Sequence, residues 1–292
     1  MDEYGKMSSL KTSAKDFVDK VLTAQNADVK VAIVSYAGGA TTDIDFSNSK
    51  SDLHESIDSL NADGGTNIQA GIHQARALMS AEVKSLNNKI DNKFIVGLSD
   101  GEPTYSYRAT AAVSAAGAGN NYNSTEWPYR ITDFSYGNRV GNGSNYELGY
   151  AVGGEKYTAI TVTADTKLTD YLYKDSRGNY HQIKYQKPWY EWGYYHEGYY
   201  YYEGRHFDHI IDVNVGDMVY RNDSIRISNN GYGTVSEAYL AKTDGNTLYS
   251  IGFHVNANGY AQKVMDSVAD ANNAYNGPII PQIAHKVHSL YP

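Results

Sequence analysis

Three short apolar runs constrain this chain most: Val29 to Tyr36 (VKVAIVSY), Phe94 to Leu98 (FIVGL) and Leu248 to Val255 (LYSIGFHV). Runs of this kind have no polar face to offer water, so they read as strands buried on both faces. Between them the apolar spacing is helical. Met7, Leu10, Ala14, Phe17, Val18, Val21 and Leu22 mark a first helix, and Leu53, Ile57 and Leu60 a short one. Ile68, Ile72, Ala75, Met79 and Leu86 mark a third, and Ala261, Val264, Met265, Val268 and Ala269 a last one. Thr42 to Phe46 has the polar look of an edge strand, and Thr234 with Glu237 forms a T-x-x-E pattern of the capping-box type ahead of a helix that Gly245 stops. Alternating helices and apolar strands predict an α/β fold whose parallel sheet is doubly wound and covered on both faces.

That pattern is interrupted. Residues 1–104 and 234–292 carry the α/β texture, whereas 105–233 is rich in Gly, Asn, Ser and Tyr and reads as a large β-rich insert. Of the 28 tyrosines in the chain, eleven fall between Tyr171 and Tyr202, together with Trp189 and Trp192. A rigid ring with a polar tip suits a wet contact surface or an aromatic cross-strand pair. At 292 residues the length suits one large domain carrying an insert.

Charge and composition exclude several functions. A net charge of −8 without a Lys/Arg cluster argues against a nucleic-acid surface, and no apolar run approaches the roughly 20 residues of a membrane span. With no cysteine, thiolate metal sites and cysteine nucleophiles drop out. His196, His206 and His209 fit no zinc spacing, and phosphate-loop, dinucleotide and G-x-S-x-G patterns are missing from the sequence.

Ligands of an open parallel sheet collect at the carboxyl ends of its strands. Two loops belong there: Gly64-Gly65-Thr66-Asn67 and Ser99-Asp100-Gly101-Glu102. The Thr66 hydroxyl and the Asp100 carboxylate are hard oxygen donors of the type Mg²⁺ takes. The local alternative is that Thr66 caps its helix and Asp100 opens a turn. Gly65, Asn67, Glu102 and Tyr105 stand on or beside these loops as candidate ligand contacts. Trp189 and Trp192 are candidates within the aromatic run, where they would serve a carbohydrate platform. Asp100 and Glu102 could also imitate a hydrolase pair, although two groups so close on one turn rarely straddle a bond.

The segments GKMSSLKTSAKDFVDKVL, VKVAIVSYA, GGTNIQAGI, KFIVGLSDGEPT and TLYSIGFHV, in this order and spacing, resemble a von Willebrand factor A domain over residues 1–104 and 234–271. The SDGEPT form followed by a long insert is most similar to the A domains at the tips of pili on Gram-positive bacteria. The resemblance implies a Rossmann-like sheet and a metal-ion-dependent adhesion site built from a D-x-S-x-S motif after the first strand, a Thr from the GGT loop and an Asp from the DGEP loop. Thr66 and Asp100 match the second and third elements. The first is not matched: Met1 aligns with the Met that follows D-x-S-G-S, so the expectation is a chain lacking its first strand and that motif. Asp2 and Glu3 lie past the strand end and are poor substitutes. The family's last strand is likewise not recognisable in residues 272–292, which read as loop plus a short helix at Ile283 to Val287.

The implied function is an adhesin module, not an enzyme. It would hold Mg²⁺, Mn²⁺ or Ca²⁺, weakly in this chain, and bind an acidic group of a host or extracellular-matrix protein. A glycan and other pilus subunits are the further partners implied, and the implied location is extracellular, at the cell surface or wall.

Overall fold

The computed structural model describes residues 5–24, 27–114, 129–168, 171–183, 194–196, 199–202, 205–207, 213–253, 255–256 and 259–271. Trp189, Trp192, Asp2, Glu3 and the segment 272–292 lie outside the described residues.

The chain divides into two compact units: one from residues within Met1–Tyr150 and Arg226–Pro292, the other from Ala151–Ile225. The first contains α1 (Lys6–Val21), β1 (Val31–Tyr36), β2 (Ala40–Ser47), α2 (Lys50–Ser59), α3 (Ile68–Ser85) and β3 (Phe94–Ser99). It continues with β4 (Tyr105–Ser114), β5 (Tyr129–Gly141) and β6 (Glu147–Val152). Beyond the second unit come β14 (Ile225–Asn229), α4 (Gly231–Thr243), β15 (Thr247–Gly252) and α5 (Tyr260–Ala269).

β15 runs parallel to β3 in an unbroken register from Thr247↔Phe94 to Gly252↔Ser99. β1 pairs antiparallel with β2, as the polar edge strand leads one to expect. Among the described residues nothing pairs with the other edge of β1 or of β3, so the sheet stands as two separate two-stranded pieces. Only the Tyr36 hydroxyl reaches across, donating to the Leu98 carbonyl at 2.5 Å. A small cavity is lined by Tyr36 of β1, Ile95 and Gly97 of β3 and Leu248 of β15, together with Ile68 and Ile72 of α3 and Met265 of α5.

Full burial of the strands is therefore not reached. All six positions of β1 are only half-buried. In β3 and β15 the pattern alternates instead: Ile95 and Leu248 are buried, while Phe94 and Tyr249 are 51% and 45% exposed. Among the described residues the helices thus cover one face of this pair. The core runs through Leu53 and Ile57 of α2 against Val18 of α1, and through Val235 and Ala238 of α4 and Val264 and Val268 of α5.

β4 and β5, which the sequence reading assigns to the insert, fall within the first compact unit. β4 and β5 form an antiparallel hairpin with three irregularities of register, and it is fastened to the helices. The Tyr107 amide donates to Gln69 Oε1 of α3 at 2.8 Å, and Ser106 Oγ donates to Asn230 Oδ1 at 2.9 Å. Tyr136 of β5 donates to Glu237 of α4 at 3.0 Å. That glutamate is no capping group. The helix begins at Gly231, so Thr234 lies inside it, and the fully buried Glu237 carboxylate takes Arg76, His73 at 3.2 Å and Gln69 at 3.4 Å as further partners. Burial and this carboxylate push the Tyr136 hydroxyl far above its ordinary range.

The described residues of the second unit form strands joined by turns, in keeping with its turn-rich texture. It holds β7 (Tyr157–Thr161), β8 (Leu172–Lys174), β9 (Tyr180–Gln182), β10 (Tyr194–His196), β11 (Tyr199–Tyr202), β12 (Arg205–Phe207) and β13 (Met218–Asn222). One sheet has the order β7-β13-β8-β9 over a small core of Val162, Ile183 and Val219, and a second is β10-β11-β12. Tyr157 stacks on Tyr180 with centroids 3.6 Å apart, and Tyr220 meets Tyr180 edge-on at 5.3 Å. These three rings pack on one another, which is the structural role of such tyrosines. In the second sheet Tyr194 stands opposite Tyr201, and Tyr195 opposite Tyr200.

Candidate functional site

Three loops meet at the carboxyl ends of β1 and β3. The Asn67 amide donates to the Ala37 carbonyl at 2.7 Å and its side-chain amide to the Gly38 carbonyl at 3.2 Å, tying the GGTN loop to the turn after β1. Asn67 Oδ1 also accepts from the Ala70 amide at 3.0 Å, so Asn67, not Thr66, is the N-cap of α3. This side chain is fully buried with both of its polar ends engaged, which makes it part of the scaffold. Thr66 is left with its hydroxyl uncommitted to capping.

Thr104 fastens the GGTN loop to the loop after β3. The Thr66 amide donates to Thr104 Oγ1 at 2.8 Å, and the Thr66 carbonyl accepts from the amides of Thr104 at 2.8 Å and Tyr105 at 3.1 Å. The result places Thr66 Oγ1 3.6 Å from where a Cβ on Gly101 would stand, next in sequence to Asp100. Gly65 is required by proximity: a methyl there would come within 2.7 Å of both Thr104 Oγ1 and the Tyr105 ring.

Asp100 faces a cation. Its Oδ2 lies 3.4 Å from Lys6 Nζ in the first turn of α1, and both side chains are less than one-fifth exposed. Just beneath, burial pushes the Tyr36 hydroxyl up to about 12, with the Asp100 charge adding to the rise and a hydrogen bond with Ser99 opposing it. Burial likewise holds the Glu102 carboxyl above its usual range. Tyr105 lies under Arg139, whose guanidinium carbon is 4.2 Å from the ring centroid.

As a metal centre the set has the right donors but few of them. A hydroxyl and a carboxylate are hard oxygens, and the ammonium beside Asp100 shows that positive charge is accommodated there. No group of three or more His, Cys, Asp or Glu that could hold an ion occurs among the described residues. Sequence reasoning found Thr66, Asp100, Gly65 and Tyr105 for this end of the sheet but missed Lys6, Thr104 and Arg139. Of these only Thr104 left a signal, as the last residue of SDGEPT.

The α/β unit with a Thr loop and an Asp loop gathered at its strand ends is similar in fold to von Willebrand factor A domains over the part a family profile covers. Residues 1–102 match the family profile described as von Willebrand factor type A domain. The pilus adhesin SpaC from Lactobacillus rhamnosus GG aligns over 91% of this chain and 25% of its own, at 17% identity and a TM-score of 0.51. The chain thus spans about a quarter of that adhesin. The vWF domain of the type V pili tip protein Mfa5 from Porphyromonas gingivalis aligns over 91% of this chain and 81% of its own, at 18% identity and a TM-score of 0.46. The adhesive tip pilin GBS104 from Group B Streptococcus agalactiae aligns over 93% and 89%, at 15% identity and a TM-score of 0.47. No curated protein sequence matches the chain.

Proposed function

We propose that this chain is the ligand-binding module of an extracellular, cell-surface adhesin and acts without catalysis. Thr66 and Asp100 would hold a divalent ion, Mg²⁺ or else Mn²⁺ or Ca²⁺, and the bound ion would offer a Lewis-acidic position that an acidic group on a protein ligand completes. The observation that carries the reading is the Thr104 clamp, which brings the Thr66 hydroxyl beside the Asp100 turn at the ligand-binding end of the sheet. The shared fold with a pilus adhesin supports the adhesive role. No helix among the described residues is long and apolar enough to cross a membrane.

Two protein oxygens bind a hard ion weakly, so a dissociation constant of about a millimolar or above is expected. Mn²⁺ titration followed by electron paramagnetic resonance tests this. Asp100→Asn and Thr66→Ala should each weaken the binding further. Binding indifferent to both substitutions would remove the site.

A further inference from the structure

Arg139 is exposed, yet it is seated. Its guanidinium carbon sits 4.2 Å over the Tyr105 ring centroid, and glycines from three separate loops make the room. A methyl at Gly38 would collide with the guanidinium itself. One at Gly65 would come within 2.7 Å of the Tyr105 ring, and one at Gly143 would reach 2.5 Å from its hydroxyl. Arg139 forms no ion pair with the described residues. A guanidinium seated on a ring, with no ion pair to the described residues, is a bidentate receptor for a carboxylate, because its N–H fork matches the two oxygens and part of its ordering entropy is already spent. The arginine is also in the right place: Tyr105 donates its amide to Thr66, so the stack borders the loop that holds the candidate metal ligand.

We propose that the Tyr105–Arg139 stack is a second, metal-independent anion site, which takes a carboxylate side chain from an acidic peptide segment of the ligand. It rests on the adhesin reading only in taking this end of the sheet as the ligand-facing one. Arg108 supplies an internal control, being a second exposed arginine on a tyrosine, 4.8 Å from the Tyr150 centroid and without the glycine seat.

The test is fluorescence anisotropy of a labelled oligoglutamate peptide with the whole chain in EDTA, against an oligoglutamine control. The glutamate peptide should bind preferentially, and Arg139→Gln should weaken it by about tenfold or more. Arg139→Lys, which keeps the charge but not the fork, should fall between. Gly38→Ala keeps the arginine and displaces it, so it should lose binding nearly as far with an unchanged melting curve. Arg108→Gln should stay within about twofold. Equal losses from Arg139→Gln and Arg108→Gln, an indifferent Gly38→Ala, or no preference for glutamate would overturn the proposal. Because EDTA is present, Asp100→Asn should leave this binding intact, so failure of the metal site would not register here.

Discussion

Adding a strand ahead of Met1 is the sharpest test of how this sheet is built. β1 and β3 are each six residues long, each paired on one edge only among the described residues, and bridged by the Tyr36 hydroxyl, which meets the Leu98 carbonyl and Ser99. An extension of six apolar residues followed by D-x-S-G-S would place alternate side chains toward Ile68, Ile72 and Ile95. Burying six large apolar side chains contributes on the order of 10 kcal/mol at about 1.5–3 each. Ordering six residues costs about 1–2 kcal/mol per residue, which nearly cancels that gain. The net then rests on the backbone hydrogen bonds made along two edges, about 1 kcal/mol each, or several kcal/mol in all. For a unit of this size that corresponds to a rise in melting temperature on the order of 10 °C. Differential scanning calorimetry of the two chains, with and without Mg²⁺, reads the effect. The extended chain should also gain a Mg²⁺-dependent increment, worth about 2.7 kcal/mol at a concentration one hundred times the dissociation constant. Equal melting temperatures, with Mg²⁺ without effect on either chain, would refute the reasoning and leave β1 and β3 as natural edges.

Glu237→Ala should destabilise the α/β unit by about 3 kcal/mol in urea unfolding, the low end for a broken buried pair because Asp244 at 2.8 Å still holds Arg76; a loss below about 1 kcal/mol would show the network to be dispensable. Lys6→Gln should tighten Mn²⁺ binding about fivefold, the worth of a partly buried ion pair near 1 kcal/mol, and an unchanged titration would mean that the ammonium does not compete for Asp100. Tyr36 tests pH. Its folded-state value of about 12 lies above the ordinary 10.0, so the unfolded chain ionises first; the stability is present below pH 10 and is lost as pH rises through 12. Tyr36→Phe should therefore flatten the alkaline fall in urea midpoint, and parallel falls would place the ionisation elsewhere.

What was legible in the sequence was whatever repeats locally. The helices α1, α2, α3 and α5 and the strands β1, β3 and β15 follow from spacing alone, because each buries a stripe or a face written in adjacent residues. The two polar loops were legible for the same reason, since glycine next to Thr66 and Asp100 marks a turn at a strand end. Pattern failed where the deciding partner is distant. Thr234 and Glu237 match a capping box letter for letter, yet the glutamate answers to Arg76 and Tyr136, which are 161 and 101 residues away. The hairpin of β4 and β5 shares the Gly, Asn and Ser texture of the insert, so its hydrogen bonds to Gln69 and Asn230 left no trace in composition. Lys6 and Arg139 are single charges on an unremarkable helix and strand, and only the fold gives them a neighbour.

The way the loops are held would let such a site, under the proposed function, vary its ligand without losing its shape. Asn67 and Thr104 join three loops through uncharged hydrogen bonds, all of them to backbone groups, and both side chains are buried. The charged side chains of Lys6, Asp100 and Arg139 at this end of the sheet take no part in those joins. Neutral bonds of this kind contribute about 1 kcal/mol each and do not depend on salt or on pH near neutrality. Charge at the rim can therefore change by substitution, or be answered by a cation, while the loop positions stay fixed. Electrostatic complementarity governs encounter and choice of partner more than it governs stability. A scaffold of neutral joins with its charges placed outside them separates the two demands, and it does so with the residues flanking the GGT and SDGEPT turns.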